Sequence, residues 1–166
     1  TVISFSLIST LFVLIVSLIL GLAYSDYNEI SIILTDLEFL VAFFVKLTGF
    51  FSFCLFLGVL VKRSAFALGF LILWQVFEGI FRGLIRWKLF DGETTDAILG
   101  FFPLQAMFNL IKEPFSRLGA VQSVVNQMGE ELSLDYAIHW YEILIVLIWT
   151  AIFIYGSYAI LKKRDL

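Results

Sequence analysis

The sequence has few of the residues on which metal and redox sites depend. Cys54 is the only cysteine and His139 the only histidine among the 166 residues. One cysteine cannot form a disulfide within the chain or a cysteine-based zinc cluster, and one histidine cannot supply a two-histidine metal site. We therefore expect this chain to hold no metal ion and no cofactor.

Two signatures of catalysis are missing as well. No glycine-rich loop is followed by lysine and serine or threonine, so any ATP hydrolysis has to occur on another polypeptide. The Glu130–Glu131 pair resembles the paired glutamates of some intramembrane proteases, but no arginine follows four residues later. His139 precedes Trp140 and Tyr141, which is typical of an interfacial anchor. We predict that the chain is not an enzyme.

Charged residues are also scarce, and apolar ones are abundant. Only 15% of the residues are charged, against about a quarter in soluble domains, while 61% are hydrophobic and the mean hydropathy is +0.99. Four apolar runs are long enough to cross a hydrocarbon layer of about 30 Å. The sequence predicts an all-α polytopic membrane protein with one transmembrane domain over 1–166 and spans at 2–24, 37–61, 65–87 and 140–161.

Between the last two spans lies a segment that is too polar to cross a membrane. Pro103 suits the first turn of a helix and Pro114 would end it, because proline fixes φ and lacks an N–H. Apolar residues at helical spacing from Phe115 to Leu132 predict a second, amphipathic helix. We expect two short outer or re-entrant helices within 103–132, packed against the spans.

Basic residues fix the expected orientation of the four spans. An even number of spans puts both ends of the chain on one side, and five basic residues fall on that side. By the positive-inside rule this face is cytoplasmic. We expect these residues to anchor it: Lys62, Arg63, Lys162, Lys163 and Arg164.

The third span carries charges that hydrocarbon disfavours. Gln75, Glu78, Arg82 and Arg86 follow one another at three or four residues, which puts them on one face of a helix. The second and third spans form an antiparallel hairpin in which Lys46 and Glu78 fall at the same depth, roughly 13 Å from the outer ends. Because buried charges need partners, we predict a buried polar cluster of Lys46, Gln75, Glu78 and Arg82, with Glu78 neutralised by Lys46 and Arg82.

Several roles for this cluster and its surroundings stay open. The cluster can join the spans structurally, form a gate or a substrate contact, or relay protons. Gly79 and Gly83 have the spacing that permits close helix contact, either inside the subunit or at a dimer seam. In the first span Ser6, Thr10, Ser17 and Gly21 share a stripe, which favours close packing of a neighbouring helix over a polar conduit.

The ordered combination of these segments resembles a known family. The basic hairpin VKRSAFALGF, the charged span, the outer segment FFPLQAMFNLIKEPF and the ending YGSYAILKKRDL are similar to the permease subunits of type-2 ABC exporters, above all those of Bacteroidetes bacteria. In that family the permease has six spans, with two outer helices between the fifth and the sixth. The resemblance implies that these four spans are its third to sixth and that two spans precede Thr1.

The resemblance also implies partners and a mechanism. A permease of this class works as a dimer with two ABC ATPase subunits in the bacterial inner membrane and moves its substrate by alternating access, with the outer helices as an external gate. Membrane lipid is an expected partner and nucleic acid is not. Two alternatives remain: a membrane anchor or assembly subunit that does not transport, and an intramembrane enzyme that uses Glu78.

Overall fold

The computed structural model describes residues 1–24, 37–61, 64–88, 98–111 and 137–164. They form five helices: α1 (Val2–Tyr24), α2 (Leu37–Val61), α3 (Ser64–Lys88), α4 (Pro103–Leu110) and α5 (Trp140–Arg164). Four of them, α1, α2, α3 and α5, are long and apolar enough to cross a membrane. The predicted all-α polytopic architecture is confirmed. Residue by residue, α3 extends slightly past the predicted 65–87 at both ends, and α5 continues beyond 161 to Arg164.

Helix α2 is the centre of the bundle and contacts each of the other four helices. Its buried residues recur every three or four positions, so they form one face: Ala42, Val45, Gly49, Ser52, Phe53 and Leu57. The ring of Phe53 lies 4.8 Å from that of Phe153 on α5 and 5.8 Å from that of Trp74 on α3. These aromatic contacts join the three helices at one level.

Close approach of α2 and α5 depends on two glycines. A Cβ atom built on Gly49 would lie 2.9 Å from Val146 Cγ1 and 3.3 Å from Thr150 Oγ1. A Cβ built on Gly156 would lie 2.9 Å from the ring of Phe56. Small residues at such positions let membrane helices pack at short range, which is how α2 and α5 form the main contact of the bundle.

Helix α1 packs less extensively. Only Ser6 and Thr10 of this helix are buried, and both hydroxyls donate hydrogen bonds to carbonyls one turn back in the same helix, at 3.0 and 2.7 Å. Ser17 and Gly21 are exposed. The predicted packing stripe is therefore used in the first half of α1, where α2 lies beside it.

Helix α4 begins at Pro103, as the sequence predicts, and follows the extended residue Phe102. Five of its eight residues are buried: Pro103, Leu104, Ala106, Met107 and Leu110. It packs against α2, α3 and α5, so it is inserted among the spans and does not rest on their outer surface. The second predicted helix, at 115–132, lies outside the described residues.

A buried glutamate and the two ends of an inserted helix

Glu78 lies near the middle of α3 and faces the interior of the bundle. Its side chain is 8% exposed. It is ten residues from the end of α3 at Lys88, which places it about 15 Å along the helix from that end. The carboxylate therefore lies well inside the layer that the span crosses, where a charge has to find partners within the protein.

Three N–H groups surround this carboxylate. The indole Nε1 of Trp74 donates to Oε1 at 2.6 Å. The backbone amides of Leu104 and Gln105 donate to Oε1 and Oε2 at 3.3 and 3.1 Å. Both carboxylate oxygens are thus satisfied, and hydrogen bonds from amides to a charged acceptor are stronger than those to a neutral one.

The two amides belong to the first turn of α4, where a helix has N–H groups without partners of its own. Phe102 occupies the N-cap position and makes no side-chain cap, and Pro103 has no N–H to donate. Leu104 and Gln105 therefore need an acceptor from elsewhere. Glu78 supplies it from another helix, and its negative charge faces the positive end of the α4 dipole.

Lys46 acts on the opposite end of the same helix. Its Nζ donates to the carbonyl oxygen of Ile111 at 3.2 Å, directly after the last residue of α4. The ammonium also lies 5.6 Å from the centre of the Phe108 ring, in the range of a cation–π contact. A positive charge at the carboxyl end of a helix is favourable in the same way as an acid at the amino end.

This arrangement differs from the predicted ion pair. Lys46 and Glu78 both contact α4, but they bind its two opposite ends. The eight residues of the helix separate these ends by roughly 12 Å. Lys46 is nine residues from the start of α2 and Glu78 ten from the end of α3, so the two lie at similar distances from those helix ends, as the hairpin geometry predicts. That geometry does not reveal that α4 lies between the two residues and forms hydrogen bonds with both of them.

The other two members of the predicted cluster lie elsewhere. Gln75 and Arg82 are exposed on α3. Arg82 follows Glu78 by one helical turn on the same helix. The side chain of Arg86 lies outside the described residues.

Trp149 of α5 is the third side chain that holds α4 in place. No pattern in the sequence predicts this role. Its Nε1 donates to the carbonyl oxygen of Phe101 at 2.7 Å, just before α4 begins. Trp149 is nine residues into α5, about 13 Å from its start, a depth similar to that of Glu78. Trp74, by contrast, has a sequence signal, because it precedes Glu78 by four residues and so shares its face.

The opposite end of the bundle carries the predicted basic anchors. Lys162, Lys163 and Arg164 are exposed in the last turn of α5. Arg164 Nη2 donates to the carbonyl oxygen of Leu60 at 3.2 Å, which ties the end of α5 to the end of α2. Lys62 and Arg63, the other two anchors, lie outside the described residues.

The described contacts of this site are hydrogen bonds that hold the two ends of α4 in place. Among the described residues no three histidine, cysteine, aspartate or glutamate side chains come together in a way that could hold a metal ion. No known protein family, no curated protein and no solved structure matches this chain.

Proposed function

We propose that this chain is the four-span, C-terminal part of a permease subunit of a type-2 ABC exporter. Two features of the chain support the proposal. One is the resemblance of its ordered segments, from VKRSAFALGF to YGSYAILKKRDL, to that family. The other is the inserted helix α4, whose two ends are held inside the membrane layer by Glu78 and Lys46.

The inserted helix is the observation that carries the proposal. Transporters commonly place short or broken helices at membrane depth, with the helix ends facing charged groups. A protein that only anchors a complex has no need to bring a helix of eight residues, about a third of the length of a span, into its core. Ionisable groups within membrane spans are costly and mark functional sites by default, and α4 is held by two of them, the buried Glu78 and the partly buried Lys46.

The anchors of α4 belong to three different spans. Lys46 is on α2, Glu78 on α3 and Trp149 on α5. Any rocking of these spans against one another changes the distances across α4. In the proposed alternating-access cycle, closure of the ATPases moves the spans, and α4, the first of the two outer helices, moves with them as part of the external gate.

The proposal includes an orientation and a location. The basic end of α5, with Lys162, Lys163 and Arg164, faces the cytoplasm of a bacterium, and α4 enters the inner membrane from the outer side. A fusion of alkaline phosphatase after Leu166 of the full-length protein should be inactive, and a green fluorescent protein fusion at the same place should fluoresce. The reverse pattern would contradict this orientation.

The decisive experiment is purification of the full-length protein from its own host with its partners attached. We expect an ABC ATPase to co-purify in mild detergent, and we expect ATP hydrolysis by the complex in nanodiscs. Glu78→Gln should lower that hydrolysis, whereas Leu73→Ala, an exposed change on the same helix, should not. Absence of any ATPase after cross-linking in intact cells would contradict the proposal.

A second function, a membrane anchor or assembly subunit that does not transport, is favoured by one observation. Gln75 and Arg82 are exposed on the face of a span, where polar groups serve to bind another membrane helix. The same purification separates the two functions, because an assembly subunit would bring down membrane proteins without an ABC ATPase.

A further inference from the structure

The groups that contact the Glu78 carboxylate are all hydrogen-bond donors. The indole of Trp74 and the amide of Leu104 donate to Oε1, and the amide of Gln105 donates to Oε2. Within the described ranges no hydrogen-bond acceptor pairs with either oxygen. These surroundings match an ionised carboxylate, which accepts hydrogen bonds and donates none.

A protonated carboxyl group fits the same surroundings poorly. It brings an O–H group of its own, and none of the three donors can accept that hydrogen. Its remaining bonds lose the assistance of the negative charge, and its attraction to the positive end of the α4 dipole is lost as well. Uptake of one proton by Glu78 therefore weakens each of its contacts with the first turn of α4.

The first turn of α4 depends on this carboxylate. The helix has eight residues, too few to be stable alone, and Phe102 at its N-cap position makes no side-chain cap. The two other polar anchors are the bonds from Trp149 to Phe101 and from Lys46 to Ile111. Acid leaves both intact, because the indole does not titrate and lysine in water loses its proton only at about pH 10.4.

The helices that carry and receive these contacts hold no second acid at this place. The other charged residues of α3 are basic and keep their charge as the pH falls: Arg82, Arg86 and Lys88. Helix α4, from Pro103 to Leu110, has no titratable side chain. Of the groups on α3 and α4, Glu78 is thus the one that can take up a proton below neutral pH.

The other two helices that pack against α4 leave this assignment unchanged. On α2 the titratable side chains are Glu38, Lys46 and Cys54. Glu38 lies at the start of the helix, eight residues before Lys46, and a thiol is already protonated at neutral pH. On α5 no titratable residue occurs between Glu142, in the first turn, and Tyr155.

We infer that Glu78 makes the docking of α4 sensitive to pH. The ionised carboxylate holds the first turn of α4 against α3, and protonation releases that turn while the opposite end stays bound to Lys46. The contact is present at high pH and is lost as the pH falls through the titration of Glu78. The inference is independent of the proposed function, because it follows from contacts within one chain.

Hydrogen–deuterium exchange at several pH values tests the inference. The full-length protein in lipid nanodiscs is labelled from about pH 8 to about pH 4.5, with labelling times corrected for the pH dependence of chemical exchange. Protection of the wild-type peptide that covers 103–110 should fall by about tenfold or more at the acid end. The peptide that covers 146–157 in α5, measured in the same sample, should keep its protection.

Two variants separate Glu78 from other causes. Glu78→Gln imitates the protonated group, since its amide has one acceptor oxygen and a donor, so protection of α4 should be low already at about pH 8 and should not vary with pH. Leu73→Ala keeps the carboxylate and is 64% exposed in the wild-type protein, so it should show the wild-type pH dependence.

Three results would overturn the inference. One is unchanged protection of α4 in the wild-type protein across the whole pH range. Another is the same pH dependence in Glu78→Gln, because a different group would then be responsible. The third is a parallel loss of protection at 146–157, which would mean that acid unfolds the bundle as a whole. This last comparison uses the wild-type protein alone, so it holds even if Glu78→Gln does not fold.

Discussion

Glu78 and Lys46 hold the two ends of one inserted helix. The carboxylate accepts hydrogen bonds from the amides of Leu104 and Gln105, and the ammonium donates to the carbonyl of Ile111. Each charge has the sign that the nearer end of the helix dipole favours. An eight-residue helix is too short to be stable by itself, so these contacts and the apolar packing around them account for its formation.

Loss of the Glu78 carboxylate should destabilise the fold. Glu78→Ala leaves two backbone amides and the Trp74 indole without their acceptor, and we expect the free energy of unfolding to fall by about 2–4 kcal/mol. Glu78→Gln keeps one oxygen and should cost about half as much. Unfolding in mixed micelles, followed by circular dichroism, measures both. Leu73→Ala is the matched control, and a loss no larger than in that variant would contradict the role of Glu78.

Lys46→Met should cost about 1–2 kcal/mol, because it removes a hydrogen bond and a charge at the carboxyl end of α4. A double-mutant cycle with Glu78→Gln then tells whether Lys46 and Glu78 act on opposite ends of α4 or form a direct ion pair. Groups that act on opposite ends of α4 should have additive effects to within about 0.5 kcal/mol. A coupling energy well above that value would indicate a direct ion pair between Lys46 and Glu78 and would contradict the arrangement described above.

Gly49 should not tolerate a side chain. The added methyl group of Gly49→Ala would press on Val146 Cγ1 and on Met107 Cε, at 2.9 and 3.1 Å, so we expect a loss of about 1–3 kcal/mol. Gly58→Ala in the same helix meets nothing within 4 Å and should be neutral or gain up to about 1 kcal/mol. Thermal unfolding of the two variants in one detergent provides the comparison. Equal stabilities would mean that α2 and α5 are farther apart than described.

Trp149→Phe should loosen the start of α4 while keeping the aromatic packing. The ring of Trp149 stacks on Phe153 with centroids 5.5 Å apart, and phenylalanine preserves much of that contact. The lost hydrogen bond to Phe101 should cost about 1 kcal/mol. Trp140→Phe, at a position 72% exposed, should change the unfolding free energy little. A larger loss of unfolding free energy in Trp140→Phe than in Trp149→Phe would show that the hydrogen bond from Trp149 contributes little to stability.

The sequence predicts the four long apolar helices well because length and hydropathy are properties of each segment alone. The start of α4 is also predictable from the sequence, because proline is favoured in the first turn of a helix and disfavoured in its interior. The burial of Glu78 followed from the cost of exposing it to lipid. Each of these inferences needs only local information.

The partners of the buried charges needed more than local information. Depth along a helix can be counted from residue numbers, and this places Lys46 level with Glu78. Whether a third segment enters between two helices depends on how all of them pack, and the composition of 103–110 fits an interfacial helix as well as an inserted one. The rotation of α3 that exposes Gln75 and Arg82 while burying Glu78 is likewise a property of the whole bundle.

Hydrogen–deuterium exchange of α4 in lipid nanodiscs tests the central claim most directly. Exchange into the peptide that covers 103–110 is compared between the wild-type protein, Glu78→Ala and the control Leu73→Ala. If Glu78 holds this helix in place, Glu78→Ala should speed exchange of the first-turn amides of α4 by about tenfold or more, because 1.4 kcal/mol corresponds to a factor of ten. Leu73→Ala should leave this exchange unchanged. Unchanged exchange in a folded Glu78→Ala protein would contradict the claim.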